Sequence, residues 1–479
     1  MTSEQVLSHF REILTIPRES GHEEHIIAWL QKFAADRQLD CKTDEAGNVL
    51  ITIPATPGRE NSPTIILQSH SDMVCEKNSG VEHDFSKDPI KAVVENGWLI
   101  AKDTTLGADC GIGIAAQLAV LEDKELPHGK IECLFTTSEE TGLDGAFALK
   151  GDFLTGSILL NLDSEDEGEL FIGCAGGIDT TARFHYKPVP VPSGKVCIKV
   201  GFCGGVGGHS GDDIDKGRSN AVQSLARLLY RIWNETSATL CHIDGGNKRN
   251  AIAREASAVI AVNPSDTAKV KGILDETLAE LRDEYAITDP DIAAVWEENL
   301  ELPATAVDDK TAFNLICALH AVPHGVMAMS AEVKGLVETS SNLASVKMQE
   351  DNVIRIGTSQ RSSTNSARRN AAMRIEAAFK VAGAEVTHES EYPGWKPSLK
   401  SHILEVCKSS YKKLFGNDPV VRAIHAGLEC GLFLDKYPHL DMISFGPTLR
   451  GVHAPGERLD LASLDKFVLL LEDVIKECK

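Results

Sequence analysis

Aromatic residues are scarce: Phe, Trp and Tyr make up 5% of the chain, which leaves few flat faces for stacking single-stranded bases. Positive charge is also short, with 48 Lys and Arg against 70 Asp and Glu and a formal charge of −22. Nucleic-acid binders and proteins held on anionic bilayers draw on clustered cations, so neither partner is expected. Long apolar runs are missing too. The longest, Gly111–Leu121, is broken by Gln117 and is too short to span a bilayer. The start MTSEQVLSHFREIL lacks the pattern of a signal peptide. Twelve cysteines are present, but none forms a CxxC pair, which argues against thiolate zinc sites and thioredoxin-like chemistry. A secreted disulfide scaffold would be shorter and denser in cysteine, so a reducing cytoplasm is the expected compartment.

What the 479 residues do hold is enough apolar material, 42%, for two or three domains. Helical spacing marks Glu4–Ile16 and His22–Arg37, and alternation marks a strand over Asn48–Pro54. Denser apolar runs at Thr64–Gln68, Ile131–Thr136 and Ser157–Leu162, with a buried helix at Gly111–Leu121, predict βαβ units and a mostly parallel sheet. The proline-rich HYKPVPVPSG, around Tyr186–Gly194, and EYPGWKP, at Glu391–Pro397, read as domain breaks. The fold class predicted is α/β: a discontinuous domain of residues 1–188 and 390–479, interrupted by an inserted α+β domain of residues 189–389.

Chemistry concentrates where the strands end. Thr64–Gln68 runs into His70 and Asp72, Ile131–Thr136 into Glu139 and Glu140, and Ser157–Leu162 into Asp163. Met442–Phe445 leads through GPT to His453, and Asp109 lies just before the buried helix. Open α/β sheets bind ligands at the carboxyl ends of their strands. His70, Asp109, Glu140, Asp163 and His453 offer two imidazoles and three carboxylates. That donor set suits zinc, with manganese or cobalt as alternatives. Five ligands exceed one tetrahedral site with an open position and suit two divalent ions about 3.5–4 Å apart sharing a carboxylate. Asp72 is placed to accept the second N–H of His70, and Glu139 to take a proton from a metal-bound water. The implied reaction is amide hydrolysis.

Other motifs carry less. His22 and His25 in GHEEH are three apart where a zincin helix needs four, so a surface helix turn is expected there. GIGIAA at Gly111–Ala116 does not directly follow a hydrophobic strand, as a dinucleotide site requires. GGVGGHSG at Gly204–Gly211 lacks the P-loop ending and the GxSxG elbow. Cys110 reads as a small packed residue, and the acidic run Ser164–Glu169 as a solvated loop.

Taken together, HSDMV, TLGADCGIG, TSEETGLDGA, NLDSEDEGE, FIGCAGGID, GGHSG, RNAIAREA, YPGWKP, HAGLECG and GPTLRGVH resemble the aminoacyl-histidine dipeptidases, a branch of the di-zinc M20 metallopeptidases. The resemblance runs in order along nearly the whole chain. It implies a catalytic domain of zinc-exopeptidase type and an inserted lid that serves in dimerisation, giving a homodimer. It gives one zinc to His70, Asp109 and Asp163 and the other to Asp109, Glu140 and His453. Glu139 would be the general base and Asp72 the partner of His70. His209, Asn250 and Arg361 match lid residues that contact substrate, and an arginine fork suits a terminal carboxylate. His425 and Glu429 fall in a family motif with a structural or substrate-orienting role. Relatives carry other residues at Ser71, Cys75 and Cys110, which bears on substrate preference. The implied substrates are unblocked dipeptides, Xaa-His such as β-alanyl-histidine among them. A tripeptidase or amino-acid deacylase of the same family is the alternative, and a non-catalytic binding protein the alternative of another class.

Overall fold

The computed structural model describes residues 1–479, which divide into two compact units. The first comprises Met1–Gly173, Trp395–Ala423 and Leu428–Lys479; the second comprises Cys174–Gly394 and Ile424–Gly427. No helix is long and apolar enough to cross a membrane.

The first unit is built on an eight-stranded sheet. Its four inner strands, Ile131–Thr136, Ile65–His70, Ile158–Asn161 and Asp441–Ser444, pair in parallel. These are the dense apolar runs, and every residue of the first three is buried, as parallel strands covered on both faces require. Antiparallel neighbours flank them: Val49–Ile53 pairs with Ile131–Thr136, and Glu169–Cys174 with Asp441–Ser444. The sheet is thus parallel at its centre and antiparallel where these neighbours join it. The helix Ala108–Glu122 is buried over nearly its whole length, because its stretch from Gly111 to Leu121 holds one polar residue. Helix Ser3–Ile13 begins with Thr2 and Gln5 capping each other's backbone N–H groups, and it buries Val6, Phe10 and Ile13 in the same core.

The second unit carries a nine-stranded sheet whose pairings are antiparallel throughout. Helices Ala221–Glu235, Thr267–Glu284, Asp309–Ala321 and Asn365–Val381 share one apolar cluster with it. The strand Gly176–His185 belongs to this sheet, so residues 174–188, assigned from sequence to the first unit, lie in the second. The proline-rich stretch is no boundary: Pro188–Pro190 pairs antiparallel with Thr305–Val307 in a two-stranded ribbon. Proline lacks the N–H a ladder interior needs but is tolerated at such an edge. The units divide between Gly394 and Trp395, inside EYPGWKP, so residues 390–394 and Ile424–Gly427, assigned from sequence to the first unit, also lie in the second.

Candidate metal centre

The parallel strands deliver their chemistry at or beyond their carboxyl ends. His70 ends its own strand, and its imidazole Nε2 lies 2.9 Å from Asp109 Oδ1 and 3.3 Å from Asp163 Oδ1. Asp109 stands at the start of the buried helix, with non-helical backbone angles there and at Cys110. Its other oxygen, Oδ2, lies 3.1 Å from His453 Nε2, which is 3.0 Å from Glu140 Oε1. The five sequence-derived candidates His70, Asp109, Glu140, Asp163 and His453 therefore meet, with Asp109 in the middle facing both imidazoles.

Two oxygens in this cluster, Glu140 Oε1 and Asp163 Oδ1, are buried and make no hydrogen bond. Buried carboxylate oxygens are ordinarily satisfied, so their exposure to imidazole nitrogens without hydrogen-bond geometry fits a cation better than a proton. His70, Asp109 and Glu140 offer atoms close enough to hold one ion, as do His70, Cys110 and Asp163. Cys110 is buried and its Sγ donates to Leu162 O at 3.3 Å; burial, and then the Asp163 charge, push its thiol well above the usual range. It is thus a packed thiol beside the ligands.

The charges respond to one another. Burial alone would lower His70, but Asp163, Asp109 and Asp72 raise it well above its ordinary value. His453 is raised to about 11 by its contacts with Asp109 and Glu140. Asp109 is lowered in spite of burial by the same two imidazoles, whereas burial and the Asp109 charge lift Asp163 to about 6. A cluster of three carboxylates separates in this way when cations are scarce among them.

Asp72 does more than its spacing suggests. Oδ1 lies 3.3 Å from His70 Nδ1, which also contacts the Asp72 carbonyl at 3.2 Å. The same carboxylate accepts the backbone N–H groups of Glu139 (3.1 Å) and Glu140 (3.2 Å) and the Ser20 hydroxyl at 2.7 Å. These bonds overcome burial and hold Asp72 at about 2. It ties the His70 strand end to the Glu139–Glu140 turn. Glu139 itself is raised well above the usual carboxyl range by burial, then by Asp163, Glu429 and Glu140, against the opposing pull of His70.

Three acids and an arginine around the cluster escape sequence reasoning, and a fourth acid, Glu429, is marked only by the family motif. Glu23, in the motif expected to be a surface turn, is buried and accepts both Ser138 N (2.8 Å) and Ser138 Oγ (2.9 Å). That grip fixes Ser138 at φ +50°, a strained setting for a side-chain-bearing residue, directly before Glu139. Glu457 receives Leu106, Gly107 and Ala108 N–H groups at 2.7–2.9 Å and so fixes the turn that presents Asp109. Arg18 donates to the carbonyls of Ser71, Asp72 and Gly107. Glu429 accepts from Gln68 Nε2 (2.5 Å) and Thr136 Oγ1 (2.9 Å), and burial lifts it to about 8. Glu165 is likewise lifted to about 8 by burial and then by Asp109 and Asp163. Little in the sequence marks these groups, because most of their partners are backbone atoms remote in the chain.

The remaining candidates lie in the second unit. His209 and Asn250 are brought side by side by the bridge between His209 and Ala251 and by the Ser210 N–H donating to Asn250 O at 2.8 Å. His209 Nδ1 lies 3.2 Å from the Asp212 N–H and from Asp212 Oδ2. Asn250 is exposed. Arg361 is 9% exposed, with Nε lacking a partner and Nη1 donating to the Tyr392 hydroxyl at 3.4 Å. It is not a solvated surface charge. His425 shares a 2.7 Å hydrogen bond with Ser340 Oγ and is lowered to about 4 by burial and then by Arg361.

A model of Peptidase family M20/M25/M40 matches residues 66–477. The cytosol non-specific dipeptidase of Escherichia coli (strain K12) is 40% identical over 468 residues, covering 98% of this chain and 96% of that protein. The crystal structure of aminoacylhistidine dipeptidase from Vibrio alginolyticus superposes with a TM-score of 0.93 at 39% identity, covering 98% and 96% of the two chains. A tripeptidase from Staphylococcus aureus shares the fold alone, at a TM-score of 0.58 and 18% identity over 100% and 99% of the chains.

Proposed function

Because the chain belongs to peptidase family M20/M25/M40, we propose that it is a metal-dependent dipeptidase that cleaves unblocked dipeptides, Xaa-His among them. The observation that carries this reading is the meeting of two imidazoles and three carboxylates at the carboxyl ends of parallel strands, with Glu140 Oε1 and Asp163 Oδ1 buried and unbonded. His70, Asp109 and Asp163 would hold one divalent ion and Asp109, Glu140 and His453 a second, zinc by choice of donors, with manganese or cobalt able to replace it. When bound, such a pair lowers the pKa of a water and polarises the scissile carbonyl.

The protein's own groups do the rest. A carboxylate oxygen of Glu139 takes the proton of the attacking water as its oxygen bonds to the carbonyl carbon. The same carboxyl returns that proton to the departing amine as the C–N bond breaks. Its raised pKa suits a group that must both accept and give. Asp72 orients His70 and pins the Glu139 turn, so one carboxylate sets ligand and base together. In the second unit, which we assign as lid and dimerisation domain, His209 and Asn250 serve the substrate carbonyl and Arg361 its terminal carboxylate. A cytosolic homodimer is the setting this reading implies.

The test is a hydrolysis panel of dipeptides, tripeptides and N-acylated amino acids, with and without chelator. Chelator-sensitive cleavage confined to dipeptides is expected. Preference for tripeptides or acylated amino acids would move the chain to another branch of the family, and cleavage of none with ions bound would leave a binding protein on a peptidase fold.

A further inference from the structure

The acidic run Ser164–Glu169 is not simply solvated, because three of its four acids have partners. Asp166 takes Arg450 Nη2 at 2.6 Å, Glu167 takes the Tyr411 hydroxyl at 2.7 Å and Lys466 Nζ at 3.0 Å, and Glu169 takes Arg422 Nε at 2.8 Å. Glu165 is the exception: its half-buried carboxylate makes no hydrogen bond and no salt bridge. Its backbone is nonetheless held firmly. Glu165 O accepts from Leu449 N and from Arg450 Nη1, each at 3.1 Å, and the neighbouring Ser164 Oγ lies 2.6 Å from Ser444 Oγ. These contacts fix Glu165 two residues beyond Asp163 and against the segment that runs from Leu449 to His453. It is thus held between ligand-bearing segments of both proposed ions. The charged form of a carboxyl held among other anions is disfavoured unless a cation comes to meet it.

We propose that Glu165 receives the free α-ammonium of the substrate and thereby restricts the enzyme to peptides with an unblocked N-terminus. The inference rests on the dipeptidase reading above. An α-ammonium brings a full charge and three N–H donors, which a carboxylate meets with charge-assisted hydrogen bonds. The other carboxylates nearby have other duties. Asp109, Glu140 and Asp163 would face the ions, and Asp72 is saturated by backbone and Ser20 donors. Glu429 also has one unbonded oxygen, but it is completely buried and its other oxygen is held by Gln68 and Thr136, so a substrate amine does not reach it. Glu139 is also unbonded and partly exposed, but it is the base of the proposed reaction, which leaves Glu165 as the free carboxylate with solvent access beside the cluster.

The test is a binding cycle in the Glu139→Gln protein loaded with zinc, in which turnover is slowed about 100-fold or more. Alanyl-histidine and propionyl-histidine differ only by the amino group. Calorimetry should show the first binding about 10- to 100-fold more tightly when Glu165 is present, and nearly equal binding of the two after Glu165→Gln. Glu165→Ser should behave likewise, while Asp166→Asn should keep the full preference. Zinc content should be the same in every protein. In the otherwise native enzyme, Glu165→Gln should raise KM for alanyl-histidine with kcat little changed, since the ammonium contact is made in ground and transition states alike. A preference that survives Glu165→Gln overturns the inference, and so does loss of an ion from that variant, which would make Glu165 a ligand. If alanyl-histidine is bound and cleaved but the preference survives, the dipeptidase reading stands and only Glu165 is reassigned. If neither compound binds with zinc in place, both fall.

Discussion

Two histidines in the two units are shifted in opposite directions. His453, in the first unit, faces Asp109 and Glu140 at 3.0–3.1 Å and is raised to about 11. His425, in the second, faces a serine hydroxyl and feels Arg361, and it is lowered to about 4. The side chain is the same; the neighbours decide. Around His453 acids outnumber their hydrogen-bond donors, leaving carboxylate oxygens that only a cation can satisfy. Around His425 a buried guanidinium keeps one nitrogen unpartnered, and the imidazole stays neutral. In the proposed reading the first region meets cations and the second an anion or a carbonyl, the two requirements of cutting a peptide whose end carries a carboxylate.

Breaking the first region should have the largest effect. Asp109→Ala removes the group that faces both imidazoles, so bound metal should fall from two ions toward none and activity to background; elemental analysis beside an assay reads both. Glu139→Gln should lower kcat by roughly 10²- to 10⁴-fold while metal content stays at wild-type level. Metal lost in parallel would mean that base and ligand are assigned the wrong way round. The second region should answer differently. Arg361→Ala should reduce kcat/KM for a dipeptide by about 10- to 100-fold and change little for the corresponding dipeptide amide, which has no carboxylate to offer. Equal losses on both substrates would refute its charge role.

The smallest effect is on stability and concerns Glu429, an acid of the cation-binding region. Its carboxyl is lifted to about 8 by burial, above its unfolded value of about 4.3. The folded chain then binds the extra proton between those pH values. The contribution is complete below the lower one and is lost as pH climbs toward the upper. Glu429→Gln cannot titrate, so in chelator-treated protein its Tm relative to wild type should rise by a few degrees between pH 5 and pH 8. A constant difference would show Glu429 ionised throughout the folded state.

Much of the site was legible because strand ends are legible. Ile131–Thr136 is apolar to its last residues and then turns to TSEE; similar transitions mark His70 and Asp163, so hydrophobic pattern and ligand chemistry point to one edge of the sheet. Arg18 and Glu457 were not legible, since they bind backbone groups of Asp72, Gly107 and Ala108, and backbone leaves no mark on composition. Glu23 was misread for a related reason: a polar GHEEH looks solvated unless the distant Ser138 is known to need its carboxylate. The start of the second unit was misplaced because prolines mark edges as well as linkers. Pro188–Pro190 forms an edge ribbon, and the strand Gly176–His185 before it is already inside the second sheet.

Titration of the metal-stripped chain with zinc tests the central account most directly. Two ions per chain should bind, and Asp109→Ala should disturb both; a chain that binds none with His70, Asp109, Glu140, Asp163 and His453 intact would contradict it.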